Sequence, residues 1–139
     1  MSINIEHILL ELEDLPKYDT QLSLQVTADG SGGEGKLAKL DYKEEDFNVF
    51  AYDMPYTNSI LSELGMYRSR LMRMGPKTCY SYHWDPTKRM HIPLITNENN
   101  FFVIDDEVSR YPADGSHYLV DTTKKHTFVN ASFESRLHI

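Results

Sequence analysis

The segment CYSYHWDPTKRMHIPLITN, residues 79–97, concentrates side chains that could bind a metal ion. His83 and Asp85 lie two positions apart, so on a β-strand both side chains point to the same face. Pro86 follows directly and breaks the strand, which can aim the imidazole and the carboxylate at one point. Imidazole and carboxylate suit a divalent first-row metal. The spacing therefore predicts two ligands of one metal site.

A third ligand must come from elsewhere in the chain, and several histidines can be sorted by their surroundings. His7 lies among acidic residues and is expected at the surface, whereas His117 follows Gly-Ser and is expected at the edge of a turn, where a strand starts. His91 shares a predicted strand with Arg89, where contact with a cosubstrate is expected. His126, which begins HTFVN, is the predicted third ligand. Two histidines and one carboxylate would form the set used by non-haem Fe(II) oxygenases.

Arg136 lies on the last predicted strand, in SRLHI, which could return through the Asn-Ala-Ser turn to the metal site. A guanidinium is always charged, and its fork matches a carboxylate through two parallel hydrogen bonds. A buried arginine at this place would suit the anchoring of a dicarboxylic cosubstrate. Arg89 and His91 face one side of their strand and would add donors for acidic groups. Ser81 shares the parity of His83, so it is expected to face inward with it and to contact the cosubstrate.

Each of these residues also has an ordinary interpretation. A His-x-Asp pair occurs by chance in many proteins, and a histidine that follows two lysines is more often a surface residue. An arginine such as Arg136 is usually solvated or in a weak ion pair. The metal-site prediction therefore depends on the joint pattern.

The elements that must position these residues are predicted to form one domain, residues 1–139. Residues 1–65 are expected to be a support region with two helices, over residues 3–15 and in YTNSILSELG, the second capped by Thr57 or Asn58. TQLSLQVTA and FNVFAY are predicted strands, and DGSGGEG is predicted to be a mobile turn. Residues 66–139 contain seven or eight predicted short strands, a pattern typical of an antiparallel sandwich or barrel.

Charge and composition narrow the classes of function. Lys plus Arg is 14 against 21 Asp plus Glu, a net charge of −7, and the basic residues are scattered. Nucleic-acid binding is therefore disfavoured. The N-terminal apolar run is too short for a signal peptide or a membrane span. A single cysteine, Cys79, excludes an internal disulfide and fits a reducing compartment, so a cytoplasmic location is expected.

Five elements occur in order: His83-x-Asp85, RMHIPLITN, Gly115 with YLVD, His126 with Val129-Asn130, and RLHI. This set resembles the aspartyl/asparaginyl β-hydroxylase family over about residues 67–139. The resemblance implies a mainly β fold, a double-stranded β-helix or cupin-like jelly roll, with supporting N-terminal helices. It also implies an enzyme, a dioxygenase that depends on Fe(II) and 2-oxoglutarate.

The resemblance further implies roles for individual residues. Iron would be held by His83, Asp85 and His126, and Arg136 would grip the distal carboxylate of 2-oxoglutarate. Arg89 and His91 match an Arg-x-His-x-Pro strand that borders the cosubstrate pocket, with no catalytic residue beyond the metal centre. With O2 as the second cosubstrate, the expected reaction hydroxylates an amino acid, a peptidyl residue or a related small molecule and releases succinate and CO2. The carboxylate ligand is similar to that of the free-proline hydroxylases, without identifying proline as the substrate.

Two other classes of function remain open. One is a metal-dependent cupin-type isomerase or hydrolase that uses zinc or manganese and no 2-oxoglutarate. The other is a non-catalytic jelly-roll binding module, which the intact set of predicted ligands disfavours. The expected partner is a small-molecule or peptidyl substrate, with neither nucleic acid nor membrane, and the sequence does not address the oligomeric state.

Overall fold

The structure is a computed structural model that describes residues 2–30 and 41–139. Its described part is mainly β, with two α-helices and several antiparallel sheets, which confirms the predicted fold class at that level. The chain divides into two compact units, residues 6–71 and residues 1–5 with 72–139. We call these the N-terminal unit and the C-terminal unit. Most of the predicted DGSGGEG turn lies outside the described residues.

The N-terminal unit combines two short helices with short strands. Helix α1 is amphipathic, as predicted, but shorter, and the predicted strand TQLSLQVTA is divided in two at Leu24. β2 and β3 pair antiparallel, with Gln25 opposite Phe50. In chain order the elements are α1 (Ile5–Leu12), β1 (Gln21–Ser23), β2 (Gln25–Val26), a 3-10 helix (Glu44–Asp46), β3 (Val49–Phe50) and α2 (Pro55–Glu63).

Helix α2 begins before the residues predicted to cap it. Its N-cap is Met54, so the prediction of Thr57 or Asn58 as N-cap was wrong. The capping acceptor comes from Glu11, whose carboxylate accepts the backbone N–H groups of Tyr56 at 2.9 Å and Thr57 at 2.7 Å. Burial alone would raise the pKa of the Glu11 carboxyl. These hydrogen bonds and another from the Thr57 hydroxyl outweigh burial, so the pKa lies below its usual value. A cap from a distant residue leaves no local sequence signal.

The C-terminal unit contains antiparallel strands in three sheets. One sheet has the order β5-β11-β8-β9, another pairs β12 with β4 and β7, and the third pairs β10 with β6. The strands are β4 (Arg70–Met74), which begins in the N-terminal unit, β5 (Thr78–Cys79), β6 (Arg89–His91), β7 (Pro93–Ile95), β8 (Asn100–Ile104), β9 (Glu107–Ser109), β10 (Tyr118–Val120), β11 (His126–Asn130) and β12 (Arg136–His138).

Three features of these strands differ from the sequence prediction. The strand predicted through His83 and Asp85 is wrong, because β5 ends at Cys79 and His83 forms only an isolated bridge. The predicted strand RMHIPLI is divided at Ile92, which exchanges backbone hydrogen bonds with Ile139, so β6 and β7 belong to different sheets. Strand β9 was not predicted, because its hairpin turn uses Asp105 and Asp106, with φ of 51° and 66°, in place of a glycine. Aspartate tolerates this left-handed conformation better than most residues, but it is a weaker turn signal than glycine.

The interior of the C-terminal unit mixes apolar and basic side chains. Ile92, Leu94, Phe102, Val120 and Leu137 are buried in the usual way. His91, His126, Arg136 and His138 are also buried. Buried basic groups need partners, so these four residues are candidates for a functional site. Among the described residues, no helix has both the length and the apolar character needed to cross a membrane.

Candidate metal centre

His83, Asp85 and His126 form a group that could hold a metal ion. Each offers one ligand atom, and the three atoms lie within 4.8 Å of one another. Nε2 of His83 is 3.8 Å from Oδ1 of Asp85, and Nε2 of His126 is 3.4 Å from Oδ2 of the same carboxylate. The structure thus brings together the three residues that the sequence proposed as ligands.

Backbone hydrogen bonds fix the orientation of both imidazole rings. Nδ1 of His83 lies 2.6 Å from the carbonyl oxygen of Ser81, and Nδ1 of His126 lies 2.8 Å from that of Lys124. A carbonyl can only accept, so each Nδ1 carries the proton in the neutral ring and each Nε2 keeps a lone pair. Such a bond to the second ring nitrogen is the usual support of a metal-ligating histidine.

Strand pairing brings the two histidines side by side. His83 and His126 form an antiparallel bridge, with backbone N–O distances of 3.0 and 2.7 Å. The backbone N–H of Asp85 donates to the carbonyl of Thr122 at 2.8 Å, and the Thr122 hydroxyl donates to Thr87 at 2.7 Å. The carboxylate is therefore held on a turn whose backbone is fastened on both sides of Pro86.

Burial divides the site into a closed side and an open side. The side chain of His126 is 0% exposed, whereas those of His83 and Asp85 are 40% and 30% exposed. Within the described residues, Nε2 of His126 makes no hydrogen bond. A buried ring nitrogen with a lone pair and no donor fits a metal ligand, because a cation satisfies it where water is excluded. The exposed side leaves room for further metal ligands.

The residues predicted to contact the cosubstrate lie in different settings. Ser81 is exposed, contrary to the expectation that it faces inward, and its carbonyl rather than its hydroxyl supports His83. Arg89 is half-buried on β6, opposite Val120, and His91 is buried on the same strand, opposite Tyr118. Binding of a cosubstrate by any of these side chains stays a prediction.

Arg136 is a buried cation on β12. It is 2% exposed, and its guanidinium carbon lies 5.5 Å from the ring centre of Phe128 and 5.8 Å from that of Phe102. In the part of the chain that the structure describes, no carboxylate forms an ion pair with it and its Nε makes no hydrogen bond. Burial lowers the pKa of Arg136 to about 10, so the group stays charged at neutral pH. A buried charge of this kind calls for an anionic ligand.

Sequence reasoning assigned no role to His138, which lies two positions after Arg136 on the same strand face. It is 1% exposed, and its Nδ1 lies 3.2 Å from Nδ1 of His91. The two rings meet at 78° with centres 5.4 Å apart. Parity with Arg136 on a predicted strand was the signal that could have identified it.

Asn130 fastens the turn between β11, which carries His126, and β12, which carries Arg136. Its amide donates to the carbonyls of Met74, Gly75 and Glu134 at 3.1, 3.0 and 2.8 Å. Its side-chain oxygen accepts from the backbone and hydroxyl of Ser132. Asn130 is 0% exposed; its bonds with Met74 and Ser132 are buried, and those with Gly75 and Glu134 are partly buried.

Replacing Asn130 with aspartate should destabilise the protein by about 3 kcal/mol, because a carboxylate oxygen would face three carbonyl oxygens without a donor between them. Urea denaturation at neutral pH would measure the loss in the free energy of unfolding. Asn99→Asp is the matched control, since Asn99 is exposed near the same turn and should change that energy little. Equal effects of the two substitutions would contradict the role assigned to Asn130.

The fold and the site together define a class: a mainly β protein in which two histidines and one carboxylate converge, with a buried arginine in the same unit. The family model described as aspartyl/asparaginyl beta-hydroxylase matches residues 3–139. The chain therefore belongs to the aspartyl/asparaginyl beta-hydroxylase family, as the sequence motifs predicted, and the family indicates a hydroxylase. A comparison with curated proteins found no match.

Proposed function

We propose that the protein is a dioxygenase that depends on Fe(II) and 2-oxoglutarate and hydroxylates an amino acid, a peptidyl residue or a related small molecule. The observation that carries the proposal is the convergence of two Nε2 lone pairs and one carboxylate within 4.8 Å. Two imidazoles and one carboxylate, with other positions open, suit non-haem Fe(II) better than a closed structural zinc site.

In this proposal His83, Asp85 and His126 hold the metal. Fe(II) and 2-oxoglutarate, when bound, supply the oxidising chemistry by which one atom of O2 enters a substrate C–H bond, with succinate and CO2 as coproducts. The protein supplies orientation and the exclusion of water. His126 closes the inner side of the site, since its side chain is fully buried, and the exposed faces of His83 and Asp85 leave the outer side to the substrate.

Arg136 would bind the distal carboxylate of 2-oxoglutarate. Its guanidinium is charged, buried against two aromatic rings and without an acidic partner among residues 2–30 and 41–139, so a carboxylate would supply the missing counter-charge. We propose Arg89 as a further donor to the cosubstrate and His91 as a residue that lies beside the cosubstrate. We include a double-stranded β-helix in the same proposal, supported by the antiparallel orders β5-β11-β8-β9 and β4-β12-β7.

The test is a spectroscopic titration without oxygen. Addition of Fe(II) and then 2-oxoglutarate should produce a visible charge-transfer band that needs both additions. Succinate release in the presence of oxygen and candidate amino acids or peptides would then identify the substrate class. A folded protein that binds Fe(II) but gives no band would contradict the proposal and favour a metal-dependent isomerase or hydrolase.

A further inference from the structure

We propose that His138 is a second anchor for the acid that Arg136 binds, donating to it through Nε2–H while His91 holds the ring in place. This inference rests on the proposed function, because the acid in question is 2-oxoglutarate. It assigns a ligand contact to the histidine of the RLHI motif, a residue for which the sequence predicted no role of its own.

The ring of His138 packs beside Phe102 and His91. His138 shares one face of β12 with Arg136, since the two are two positions apart, and both lie near Phe102: the His138 ring centre is 6.0 Å and the Arg136 guanidinium carbon 5.8 Å from that ring centre. His91 meets the same ring edge-on at 5.2 Å. Two histidines and one arginine therefore surround one phenylalanine.

The His138 ring carries no charge at neutral pH. Burial lowers its pKa well below the usual value, and the nearby Arg136 and His91 lower it further. His138 is therefore neutral at pH 7 and carries one N–H only. Its Nδ1 makes the contact with His91, so the location of that single proton decides what Nε2 can do.

The contact between the two Nδ1 atoms restricts where the proton of each ring can lie. One of the two Nδ1 atoms must donate and the other must accept. In the proposed arrangement His91 donates, and His138 keeps its proton on Nε2, which forms no hydrogen bond with any residue in the described ranges. A buried N–H without an acceptor is unfavourable, and a bound carboxylate would supply the acceptor. Arg136 cannot, because a guanidinium only donates.

The first experiment needs no substitution. In the full-length protein loaded with diamagnetic Zn(II), long-range proton–nitrogen NMR spectra report which ring nitrogen of each histidine carries the proton. We expect His138 to be protonated at Nε2 and His91 to be protonated at Nδ1. Protonation of His138 at Nδ1 alone would overturn the proposal, because Nε2 would then have no proton to donate.

The second experiment compares His138→Phe, which keeps a ring without a donor, with His138→Gln, whose amide can replace Nε2–H. Titration of 2-oxoglutarate into the anaerobic Fe(II) protein should show about a tenfold or greater loss of affinity for the Phe variant. The Gln variant should recover most of that loss, and Fe(II) affinity should stay within about twofold in both. These results are expected if His138 donates a hydrogen bond to 2-oxoglutarate and does not bind the metal.

The outcomes separate the two proposals. If the wild-type protein binds Fe(II) but no 2-oxoglutarate, the proposed function fails and this inference falls with it. If the wild type binds 2-oxoglutarate and His138→Phe binds it equally well, only the role of His138 is overturned. A similar loss in the Phe and Gln variants would also overturn it, since ring packing and not donation would then explain the effect.

Discussion

Replacing His126 with alanine is expected to abolish metal binding and turnover together. Its Nε2 is a buried candidate ligand, and His83 is the one other histidine of the described residues in the group that could hold a metal. Loss of an outer hydrogen-bond partner alone typically lowers metal affinity about 10- to 100-fold, so loss of a ligand should lower it at least about 100-fold. Anaerobic calorimetry with Fe(II) and a succinate assay would measure the two effects.

His117→Ala is the matched control for that experiment. His117 is half-buried in the C-terminal unit but is not part of the candidate metal group, so Fe(II) affinity should change little. The His126 variant also loses the bond from Nδ1 to the carbonyl of Lys124, so circular dichroism must first show that it folds. A folded His126→Ala protein with wild-type affinity for Fe(II) would remove His126 from the ligand set.

The spacing of His83 and Asp85 was enough to pair them, although the structure does not place them on a continuous strand. This spacing could not place His126 opposite His83, since the bridge between them joins distant parts of the chain. Sorting of the histidines proposed His126 as a ligand, and the resemblance to a known family implied the same residue without giving its strand pairing. The matched family and the mainly β class were therefore predictable, whereas the register between strands was not.

The features that the sequence did not reveal depend on contacts between distant residues. Glu11 caps a helix that begins more than forty positions later, and no local pattern records this. His138 is the last residue of a short strand, and its partner His91 lies on another sheet. The division of RMHIPLI at Ile92 is what sends His91 and Pro93 to different sheets.

Replacing Arg136 with methionine is expected to abolish 2-oxoglutarate binding and, at the same time, to stabilise the ligand-free protein. Binding of 2-oxoglutarate should be lost because Arg136 is the only buried guanidinium beside Phe102 and Phe128 in the described residues. Affinity for 2-oxoglutarate should fall at least about 100-fold, because a buried carboxylate would lose a paired cation. Affinity for Fe(II) should stay within about twofold.

The expected gain in stability follows from the direction of the pKa shift of Arg136. Burial lowers the pKa of Arg136 to about 10, so the charged form is disfavoured in the folded state. That penalty is fully present at neutral pH and is relieved only as the pH rises above about 10. This pKa shift corresponds to a loss of stability of roughly 3 kcal/mol. The substitution Arg136→Met should restore about 1 to 3 kcal/mol of the free energy of unfolding.

Arg110→Met is the matched control, because Arg110 also lies 5.5 Å from a phenylalanine ring but is exposed and donates to the carbonyl of Glu98. Urea denaturation of the two variants without ligand should show a gain for Arg136→Met and almost none for Arg110→Met. A loss of stability in Arg136→Met would mean that Arg136 already has an anionic partner in the ligand-free protein. A gain together with lost cosubstrate binding would mean that the chain keeps an unfavourable buried charge because its ligand needs it.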